Sequence, residues 1–397
     1  MSKKEDMILV SSDWNYFWQN KKFESRSKLS SCGMFKFLRS VVFLVNILLA
    51  FVTLLGYQLC YSADIGHWAA GFIMLAMPAF IISNVVFCLF WWLTNYRQMW
   101  LSGLILLIGI PLMGRSFQFP SFEKTMLRGS SKISVLSYNV MYCNYGSYTQ
   151  DKTTSLGIVN ALDTLSADIK CFQELYNNDK IPDLRTIYKL TDTHPYYTYM
   201  HSAADNNEGQ GNIGLAVFSK YPIIRKQEIF WKRNNNGMLL VDIAVNDDTV
   251  RVINVQMHSM GIRVQKVIAA RESKDEAKVK AETRNILSLL KSGFEIRRIQ
   301  ADELGKWIAD SPYPTIVCGD FNEIPFGYAY GHTSKLLQNA FENSGSGFGF
   351  TYNRMPSVIR IDNQFYDDTK IDNYVFETLN KARFSDHYPV RGGYLVR

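Results

Sequence analysis

Long stretches without charge near the N-terminus constrain this chain more than any other feature of its sequence. Residues 41–61 and 68–93 contain no Asp, Glu, Lys or Arg, and each is long enough for a helix to cross about 30 Å of hydrocarbon. A third stretch, residues 99–113, is shorter and contains Pro111, so it either crosses the membrane or lies as a helix in the interface. We expect a transmembrane region over residues 39–120 with three helices, at about 41–61, 68–93 and 99–114.

The positive charges around these stretches predict the orientation of the chain. Residues 1–38 form a basic segment, the loop at 62–67 has no Lys or Arg, and the loop at 94–98 has Arg97. Because positive residues favour the cytoplasmic side, we expect a cytoplasmic N-terminal segment. With three spans the rest of the chain lies on the far side, whereas with two it is cytoplasmic. A cleaved signal peptide is a poorer interpretation, because the apolar stretches recur and begin late.

Charge and cysteine content narrow the function only slightly. The formal net charge of +7 suits an anionic surface or substrate but does not specify one. The six cysteines show neither a zinc-type nor a disulfide-type spacing, so we interpret them as small buried hydrophobic residues.

From about Lys132 onward the sequence changes to short apolar runs separated by polar loops. The runs at 133–140, 168–175, 214–223, 239–245, 250–259 and 315–318 predict strands. Apolar residues recur every three positions from Leu156 to Leu165, which predicts a helix, and residues 271–309 predict a helix interrupted near Gly293. Such a mixture predicts an α/β or α+β domain, which we place at residues 121–397.

Many of the predicted strands end in a side chain that can bind a metal or move a proton. These residues are Asn139, Glu174, His258, Asp320 with Asn322, Asp362, and Asp386 with His387. Each one alone has an ordinary explanation, and the sequence "GDFN" alone is equally compatible with a turn in which Asp and Asn bond local amides. If the strand ends meet at one edge of a sheet, however, they form a polar, acidic pocket on a rigid scaffold.

The order of short motifs along the chain carries a family resemblance. The segments "SYNV", "CFQEL", "GLAVFSKYPI", "VQMHS", "CGDFNEIP", "RIDNQF" and "FSDHYPV" resemble the successive motifs of the endonuclease/exonuclease/phosphatase superfamily. The resemblance covers about residues 132–397 and implies a two-sheet α/β sandwich of the pancreatic deoxyribonuclease type. With its N-terminal apolar segment, the chain resembles membrane-anchored members from bacteria of the Bacteroides type. The implied location is the bacterial inner membrane, and with three spans the loop charges described above put the catalytic domain on the periplasmic side.

The resemblance implies a role for each polar strand end. Members of the family hydrolyse phosphate esters with Mg²⁺ or Mn²⁺, and hard cations of this kind prefer oxygen ligands. The implied metal ligands are Glu174, Asn139 and Asp386.

The resemblance also implies catalytic residues that activate the attacking water or donate hydrogen bonds to the phosphate. Asp320 would orient or deprotonate the attacking water and Asn322 would donate to a phosphate oxygen. His387 would donate to the phosphate, oriented by Asp362 or, as a weaker alternative within a second Ile-Asp-Asn triplet, by Asp372. His258 would be a further cationic donor, with Glu208 as a weak candidate for its carboxylate partner.

The substrate and one rival function stay open at this point. The substrate is a phosphate ester of a nucleic acid, a lipid head group or a small phosphorylated metabolite. Basic residues suited to nucleic acid are Lys220, Arg225, Lys226, Lys232 and Arg233, and aromatic segments suited to a lipid head group are 326–332 and 345–353. The rival is a catalytically inactive, membrane-tethered binding module that retains the fold.

Overall fold

The structure, a computed structural model of the 397-residue chain, describes residues 11–120, 131–201, 211–231, 236–261, 264–273, 275–354 and 357–397. These residues form two compact units. The first contains the chain up to Leu55 and Pro78–Ile108, and the second contains Gly56–Met77 and Gly109–Arg397. The second unit therefore includes two segments, residues 56–77 and 109–120, from the region that was predicted to be transmembrane.

Helices account for most of the N-terminal part. They are α1 (Ser11–Ser62), α2 (Trp68–Leu75), α3 (Met77–Thr94), α4 (Tyr96–Ile108) and α5 (Ile110–Met113). Within the described residues, Met34–Ser62 and Met77–Thr94 are long and apolar enough to cross a membrane by length and composition. In the first unit, Asn46 donates to Ser102 (2.8 Å) and accepts from the Trp91 indole (2.9 Å). Hydrogen bonds of this kind hold helices together in an apolar environment.

The second apolar stretch differs from the single helix predicted at 68–93. It forms α2 and α3, which are separated at Ala76. Pro78 lies in the first turn of α3, where its missing N–H leaves no hydrogen bond unmade, and its ring is incompatible with a helix that continues from Met74. Pro111 has the same effect in the third stretch, where it lies in the first turn of α5.

Two six-stranded sheets form the core of the second unit. The first has the order β11-β12-β1-β2-β4-β3 and the second the order β5-β6-β7-β8-β10-β9. Their strands are β1 (Ser131–Asn139), β2 (Ile169–Asn177), β3 (Tyr196–His201), β4 (Asn212–Ser219), β5 (Ile223–Phe230), β6 (Gly237–Val245), β7 (Asp248–Gln256), β8 (Thr315–Asp320), β9 (Gln338–Asn339), β10 (Asp362–Tyr366), β11 (Ile371–Thr378) and β12 (Val390–Val396). The pairs β1/β2 and β7/β8 are parallel and the other pairs are antiparallel.

The two sheets face each other with helices on their outer sides. Residues such as Val135, Val217, Val252 and Ile316 form one buried cluster between the sheets. The remaining helices are α6 (Lys152–Thr164), α7 (Thr186–Thr191), α8 (Val264–Glu272), α9 (Glu276–Ala309), α10 (Tyr328–Ser334) and α11 (Ala340–Ser344), with 3-10 turns at Met141–Ser147 and Pro182–Leu184. Apolar residues of α6 cover the first sheet, and those of α9 and α10 cover the second. This arrangement confirms the predicted two-sheet α/β sandwich.

The helix predicted at 271–309 is not interrupted at Gly293, so that expectation is wrong. Helix α9 continues through Gly293 as far as Ala309, and the break lies before it, where Asp275 caps α9 by accepting from the amides of Ala277 and Lys278. The glycine has a packing role instead. A Cβ at position 293 would lie 2.5 Å from Cγ of Met260, so glycine permits the close approach of that side chain.

Candidate active site

Asp320 is the last residue of β8 and has strands on both sides. Its register partners are Gln256 at the end of the parallel strand β7 and Asp362 at the start of the antiparallel strand β10. Gly319, directly before it, has a φ of 147°, and a Cβ there would lie 1.9 Å from the Val255 carbonyl oxygen. Only glycine fits such a backbone, which explains why the apolar run ends at this residue before the acidic side chain.

Two amide side chains hold the Asp320 carboxylate. Nδ2 of Asn139, at the end of β1, donates to Oδ2 of Asp320 at 3.0 Å, which joins the two sheets across the core. Asn322 donates to the same oxygen from Nδ2 (3.0 Å) and to Oδ1 from its backbone N–H (2.8 Å). Nδ2 of Asn322 also donates to the Met257 carbonyl at 3.0 Å. Asn322 has a φ of 49°, so it lies beyond the strand, and the local turn that "GDFN" allowed is present.

His387 lies between two buried carboxylates. Its Nδ1 is 2.8 Å from Oδ2 of Asp362, and its Nε2 is 3.9 Å from Oδ2 of Asp320. Asp372, the alternative partner, lies on β11 and forms an exposed ion pair with Arg397 instead. The structure therefore brings Asp362, and not Asp372, to the imidazole.

The charges in this group shift the two central pKa values upward. Burial raises the pKa of Asp320 to about 7, and the Asp362 carboxylate adds to the rise while His387 opposes it. Burial alone would lower the pKa of His387, but the carboxylates of Asp362 and Asp320 outweigh it and raise that pKa to about 10. At neutral pH the imidazole is therefore a cation and a donor at both nitrogens.

Glu174 reaches the same region from a distorted part of β2. Its φ is 53°, and the pairing of β2 with β4 shifts register between Phe172 and Leu175. Such a bulge re-aims a side chain that regular alternation would point elsewhere. Gln256 donates to Oε1 of Glu174 at 2.6 Å. Burial raises the pKa of Glu174, and His387 and Asn139 oppose the shift while Asp386 adds to it.

One cavity of about 480 Å³ is lined by most of the predicted residues. Its polar lining includes Asn139, Glu174, Asp320, Asn322, Asp386 and His387. Gly327 and Tyr352, one from each predicted aromatic segment, also line it. Six polar residues from distant parts of the sequence thus meet around one space, as the convergence of strand ends requires.

His258 occupies a different position from these residues. Strand β7 ends two residues before it, at Gln256, and the part of the cavity lining that the structure describes does not include it. Its backbone N–H donates to Gln300 and its carbonyl accepts from Arg297. Burial and the Arg297 charge lower the pKa of His258, which favours the neutral ring over the predicted cation. Glu208 lies outside the described residues.

The basic residues suggested for nucleic acid do not line the described cavity. Lys220 pairs with Asp168 at 3.0 Å, and the exposed Lys226 is 4.0 Å from Glu228. Arg225 is exposed on β5. Lys232 and Arg233 lie outside the described residues.

Sequence reasoning missed several residues of this site. Gln256 lies two positions before His258 in the same predicted strand, so the alternation of that strand could have indicated it. Arg297 and Glu323 also line the cavity. Arg297 belongs to α9, where its charge is indistinguishable in sequence from the solvated charges around it, and the structure buries it to 1% exposure.

The polar residues of the site form two groups, of which only one is suited to bind a metal ion. Oxygen and nitrogen atoms of Asp320, Asp362 and His387 lie within 4.8 Å of one another. A protonated imidazole offsets one of the two carboxylate charges in this group and has no lone pair for a metal. Glu174, Asp386 and Asn139 line the same cavity, and their side chains carry the carboxylate and amide oxygens that Mg²⁺ or Mn²⁺ prefers, although Oδ1 of Asn139 also accepts from the Met141 N–H at 3.0 Å. The residues present therefore fit a hard divalent cation.

Comparisons with known proteins agree with this architecture. A model of the Endonuclease/Exonuclease/phosphatase family matches residues 136–387. A second model, described as a domain of unknown function (DUF8431), matches residues 39–116. No curated protein sequence matches the chain.

Several solved structures are similar to part of the chain. An endonuclease/exonuclease/phosphatase from Bacteroides vulgatus has 14% sequence identity, with 67% of this chain and 99% of that chain covered and a TM-score of 0.47. A family protein from Bacteroides thetaiotaomicron has 15% identity, with 68% and 99% covered and a TM-score of 0.45. The human Nocturnin catalytic domain with bound sulfate has 15% identity, with 67% and 94% covered and a TM-score of 0.45.

The family model spans more than half of the residues, and its match begins in β1 and ends at His387. The chain therefore belongs to the endonuclease/exonuclease/phosphatase family.

Proposed function

We propose that this protein is a membrane-anchored, metal-dependent phosphoesterase in which water attacks a phosphodiester or phosphomonoester. One observation supports the proposal most strongly. Asn139 and Asp320 are 181 positions apart in the chain, yet they form a hydrogen bond across the two sheets and line one cavity with Glu174, Asp386 and His387. A binding module that had lost catalysis would have no need to keep this complete set of acidic, amide and imidazole groups together.

Glu174, Asp386 and Asn139 are the residues that would hold the metal ion. When bound, a divalent cation neutralises charge on the phosphate and on the departing oxygen. Gln256 fixes the Glu174 carboxylate through its 2.6 Å hydrogen bond. Support of a ligand by a neighbouring amide is a common way to orient metal ligands.

Asp320 is proposed to orient the attacking water and accept its proton. A carboxyl whose pKa is raised to about 7 is a stronger base than an ordinary aspartate and can accept a proton near neutral pH. Its position is held by Asn139 and Asn322 from two directions. Both N–H groups of the Asn322 side chain are already used, by Asp320 and by the Met257 carbonyl. We therefore assign Asn322 to positioning Asp320 rather than to contacting the phosphate.

His387 is proposed to stabilise the charge that develops on the phosphate. The raised pKa keeps its ring cationic, and the bond from Nδ1 to Asp362 fixes the orientation in which Nε2 faces the cavity. Asp362 thus acts through the imidazole. His258, with its lowered pKa, is proposed only as a neutral donor next to Ser259 and Met260, which line the cavity.

Hydrolysis of bis-p-nitrophenyl phosphate by the purified full chain tests the proposal. We expect turnover that requires Mg²⁺ or Mn²⁺, stops on chelation with EDTA and returns when the metal is restored. Asp320→Ala should lower kcat at least about 100-fold, the usual contribution of a general base. Asp168→Ala, which removes a carboxylate outside the cavity, is the control and should keep the activity.

Two results would favour the inactive binding module instead. One is equal turnover by Asp320→Ala and the unchanged protein, which would trace the activity to a contaminant. The other is no turnover by either protein with any of DNA, RNA, sphingomyelin or inositol phosphates.

We propose that the N-terminal apolar region crosses the bacterial inner membrane three times. This path leaves the second compact unit, which contains the candidate active site and is called the catalytic unit below, in the periplasm. The end of the first span belongs to the catalytic unit, because the Cys60 thiol donates to the Phe326 carbonyl and Arg115 donates to the Cys60 carbonyl. The start of the same span lies beside the first turn of α4, where Arg39 donates to Gln98 at 3.2 Å.

The helical segment formed by α4 and α5 is long enough to cross the membrane a third time. Helices α4 and α5 run from Tyr96 to Met113 with Gly109 between them, itself in the helical region. At 1.5 Å per residue they cover roughly 27 Å, which is close to the thickness of a hydrocarbon core. With the basic segment in the cytoplasm, these contacts support a periplasmic catalytic unit.

A further inference from the structure

We infer that the substrate of this site is a lipid phosphate ester, with an alkyl, acyl or prenyl chain within a few bonds of the phosphorus. The inference rests on the proposed function, since it assigns a substrate class to the same cavity. It follows from the composition of the cavity wall, from the helix that completes that wall and from a buried cation within it.

The cavity that contains the candidate catalytic residues has an extensive apolar wall. The apolar side chains that line it are Leu75, Met260, Leu290, Phe294, Ile359 and Ile361. A water-soluble phosphodiester gains nothing from such a surface, and the hydroxyl groups of a nucleic acid or an inositol would lose hydrogen bonds to water against it. A hydrocarbon chain, by contrast, is stabilised by each methylene that it buries there.

Helix α2, from the apolar N-terminal part of the chain, supplies one side of this wall. Gly71 and Leu75 line the cavity, and the ring of Phe72 packs edge-on against Phe294 of α9, with centroids 5.3 Å apart. A Cβ at position 71 would lie 2.5 Å from Cγ of Phe294. Glycine therefore lets the Phe294 ring lie directly on the backbone of α2, which brings the apolar segment to the active site.

Helix α2 is next in the sequence to a candidate membrane span, so the lipid of the bilayer is the source that we propose for the hydrocarbon chain. Helix α2 ends at Leu75, and the candidate membrane span Met77–Thr94 begins two residues later. The apolar wall is thus adjacent along the chain to a segment that we propose to lie in hydrocarbon.

Arg297 gives the same cavity an affinity for an anion. Its side chain is 1% exposed, and it donates from Nη1 to the His258 carbonyl at 3.2 Å. Among the described residues its Nε has no hydrogen-bond partner. A buried guanidinium with an unused donor, lining a cavity next to apolar side chains, suits a phosphate that is attached to a hydrocarbon chain.

A chain-length series of p-nitrophenyl phosphodiesters tests the inference on the full chain in lipid nanodiscs. The second ester group is methyl, butyl, hexyl or octyl, and the turnover that Asp320→Ala retains is subtracted. We expect kcat/KM to rise about fourfold for each added methylene, the ratio that corresponds to ~0.8 kcal/mol, and then to level off when the cavity is full.

Substitutions on one helix separate the cavity wall from general membrane partitioning. Leu290→Ser should flatten the rise of kcat/KM with chain length, because Leu290 lines the cavity. Leu287→Ser is the matched control, because Leu287 lies one turn earlier on α9 and is 50% exposed. Leu75→Ser should act like Leu290→Ser from α2.

The outcomes distinguish this inference from the proposed function. Turnover that depends on Asp320 but is equal for the methyl and octyl esters would overturn the lipid assignment and leave the phosphoesterase standing. A rise with chain length that is the same in Leu290→Ser, Leu75→Ser and Leu287→Ser would also overturn it, because the chain would then bind elsewhere. If no ester of the series is hydrolysed, the lipid assignment is overturned, and the proposed function is then decided by bis-p-nitrophenyl phosphate and the panel of phosphate esters described above. Should the serine variants not fold, the series on the unchanged protein still decides between a rising and a flat dependence.

Discussion

Three residues of the candidate active site adopt backbone conformations that are rare elsewhere. Gly319, Glu174 and Asn322 have φ values of 147°, 53° and 49°. A non-glycine residue in such a region costs of order 1–3 kcal/mol and persists only where surrounding contacts hold it. Glu174 accepts a hydrogen bond from Gln256. Asn322 donates one to the Met257 carbonyl. The strained residues are therefore those that turn the proposed functional side chains toward the cavity.

The two Ile-Asp-Asn triplets provide a matched test of the role of Asp362. Asp362→Asn removes the carboxylate that orients His387 and raises its pKa, and we expect kcat to fall roughly 100-fold or more with little change in KM. Asp372→Asn removes the exposed ion pair with Arg397, and a surface ion pair is worth about 0–1 kcal/mol. Steady-state kinetics on both variants, with thermal unfolding as a check on folding, make the comparison.

Equal activity of the two asparagine variants would contradict the assignment. A second contradicting result would be an activity loss in Asp362→Asn that is explained by a lower unfolding temperature, with kcat unchanged for the protein that remains folded. In either case His387 would not depend on Asp362 for its function.

At the level of strands and helices, the pairing of β6 with β7 contains a buried ion pair. Asp242 and Arg251 face each other in register, are 1% and 3% exposed, and form two hydrogen bonds of 2.7 Å and 3.0 Å. Strand β7 holds Gln256 at its end and pairs with β8. The ion pair thus lies in the sheet that supports Asp320.

Breaking this pair should destabilise the fold. Asp242→Asn leaves a buried, uncompensated arginine, and we expect a loss of about 3–5 kcal/mol, or roughly 10 °C in the unfolding temperature. Replacing both partners by apolar residues, in Asp242→Leu with Arg251→Met, should restore most of that loss. Glu228→Gln on the neighbouring strand β5 removes an exposed contact of 4.0 Å and should change stability by less than about 1 kcal/mol.

Calorimetric or fluorescence unfolding of the three variants measures these differences. A double variant that is no more stable than Asp242→Asn would show that the pair sets the register of β6 and β7 and does more than neutralise charge. The strands themselves were predictable from alternation, but the pairing partner of Arg251 depends on the hairpin register.

For the molecule as a whole, the decisive question is the side of the membrane on which the catalytic unit lies. Fusions of alkaline phosphatase, which is active only after export, test the three-span path. We expect activity for fusions after Gly66 and after Arg397 and none for a fusion after Asn95. Inactivity of the Arg397 fusion, with the other two as expected and all three proteins present by immunoblot, would favour two spans and a cytoplasmic catalytic unit.

The location matters for the substrate that the active site can meet. If the proposed lipid substrate is correct, a periplasmic catalytic unit would act on lipids of the outer leaflet of the inner membrane, and a cytoplasmic unit on lipids of the inner leaflet. The apolar surface of Leu75, Leu290 and Phe294 has the same use on either side, so the lipid assignment and the topology are independent tests.

Local patterns in the sequence were enough for the fold class and for most of the candidate site. Alternating apolar residues mark strands because successive side chains point to opposite faces, and the motifs that end those strands include Asn139, Glu174, Asp320 and His387. The same reasoning misplaced a helix break at Gly293, since a glycine that permits close packing looks the same in sequence as one that ends a helix. It also predicted one helix where Pro78 begins a second one.

Contacts between distant residues were decided only by the tertiary structure. The choice of Asp362 over Asp372 depends on which strand pairs with β8, and the hydrogen bond from Asn139 to Asp320 depends on how the two sheets face each other. The burial of Arg297 and the position of α2 beside Phe294 follow from helix packing. Periodicity within one element reports which face is apolar, but it contains no information about the element that covers that face. The sequence thus determines an α/β fold of the endonuclease/exonuclease/phosphatase family preceded by apolar helices, and only the tertiary structure adds the apolar cavity wall from which we propose a lipid substrate.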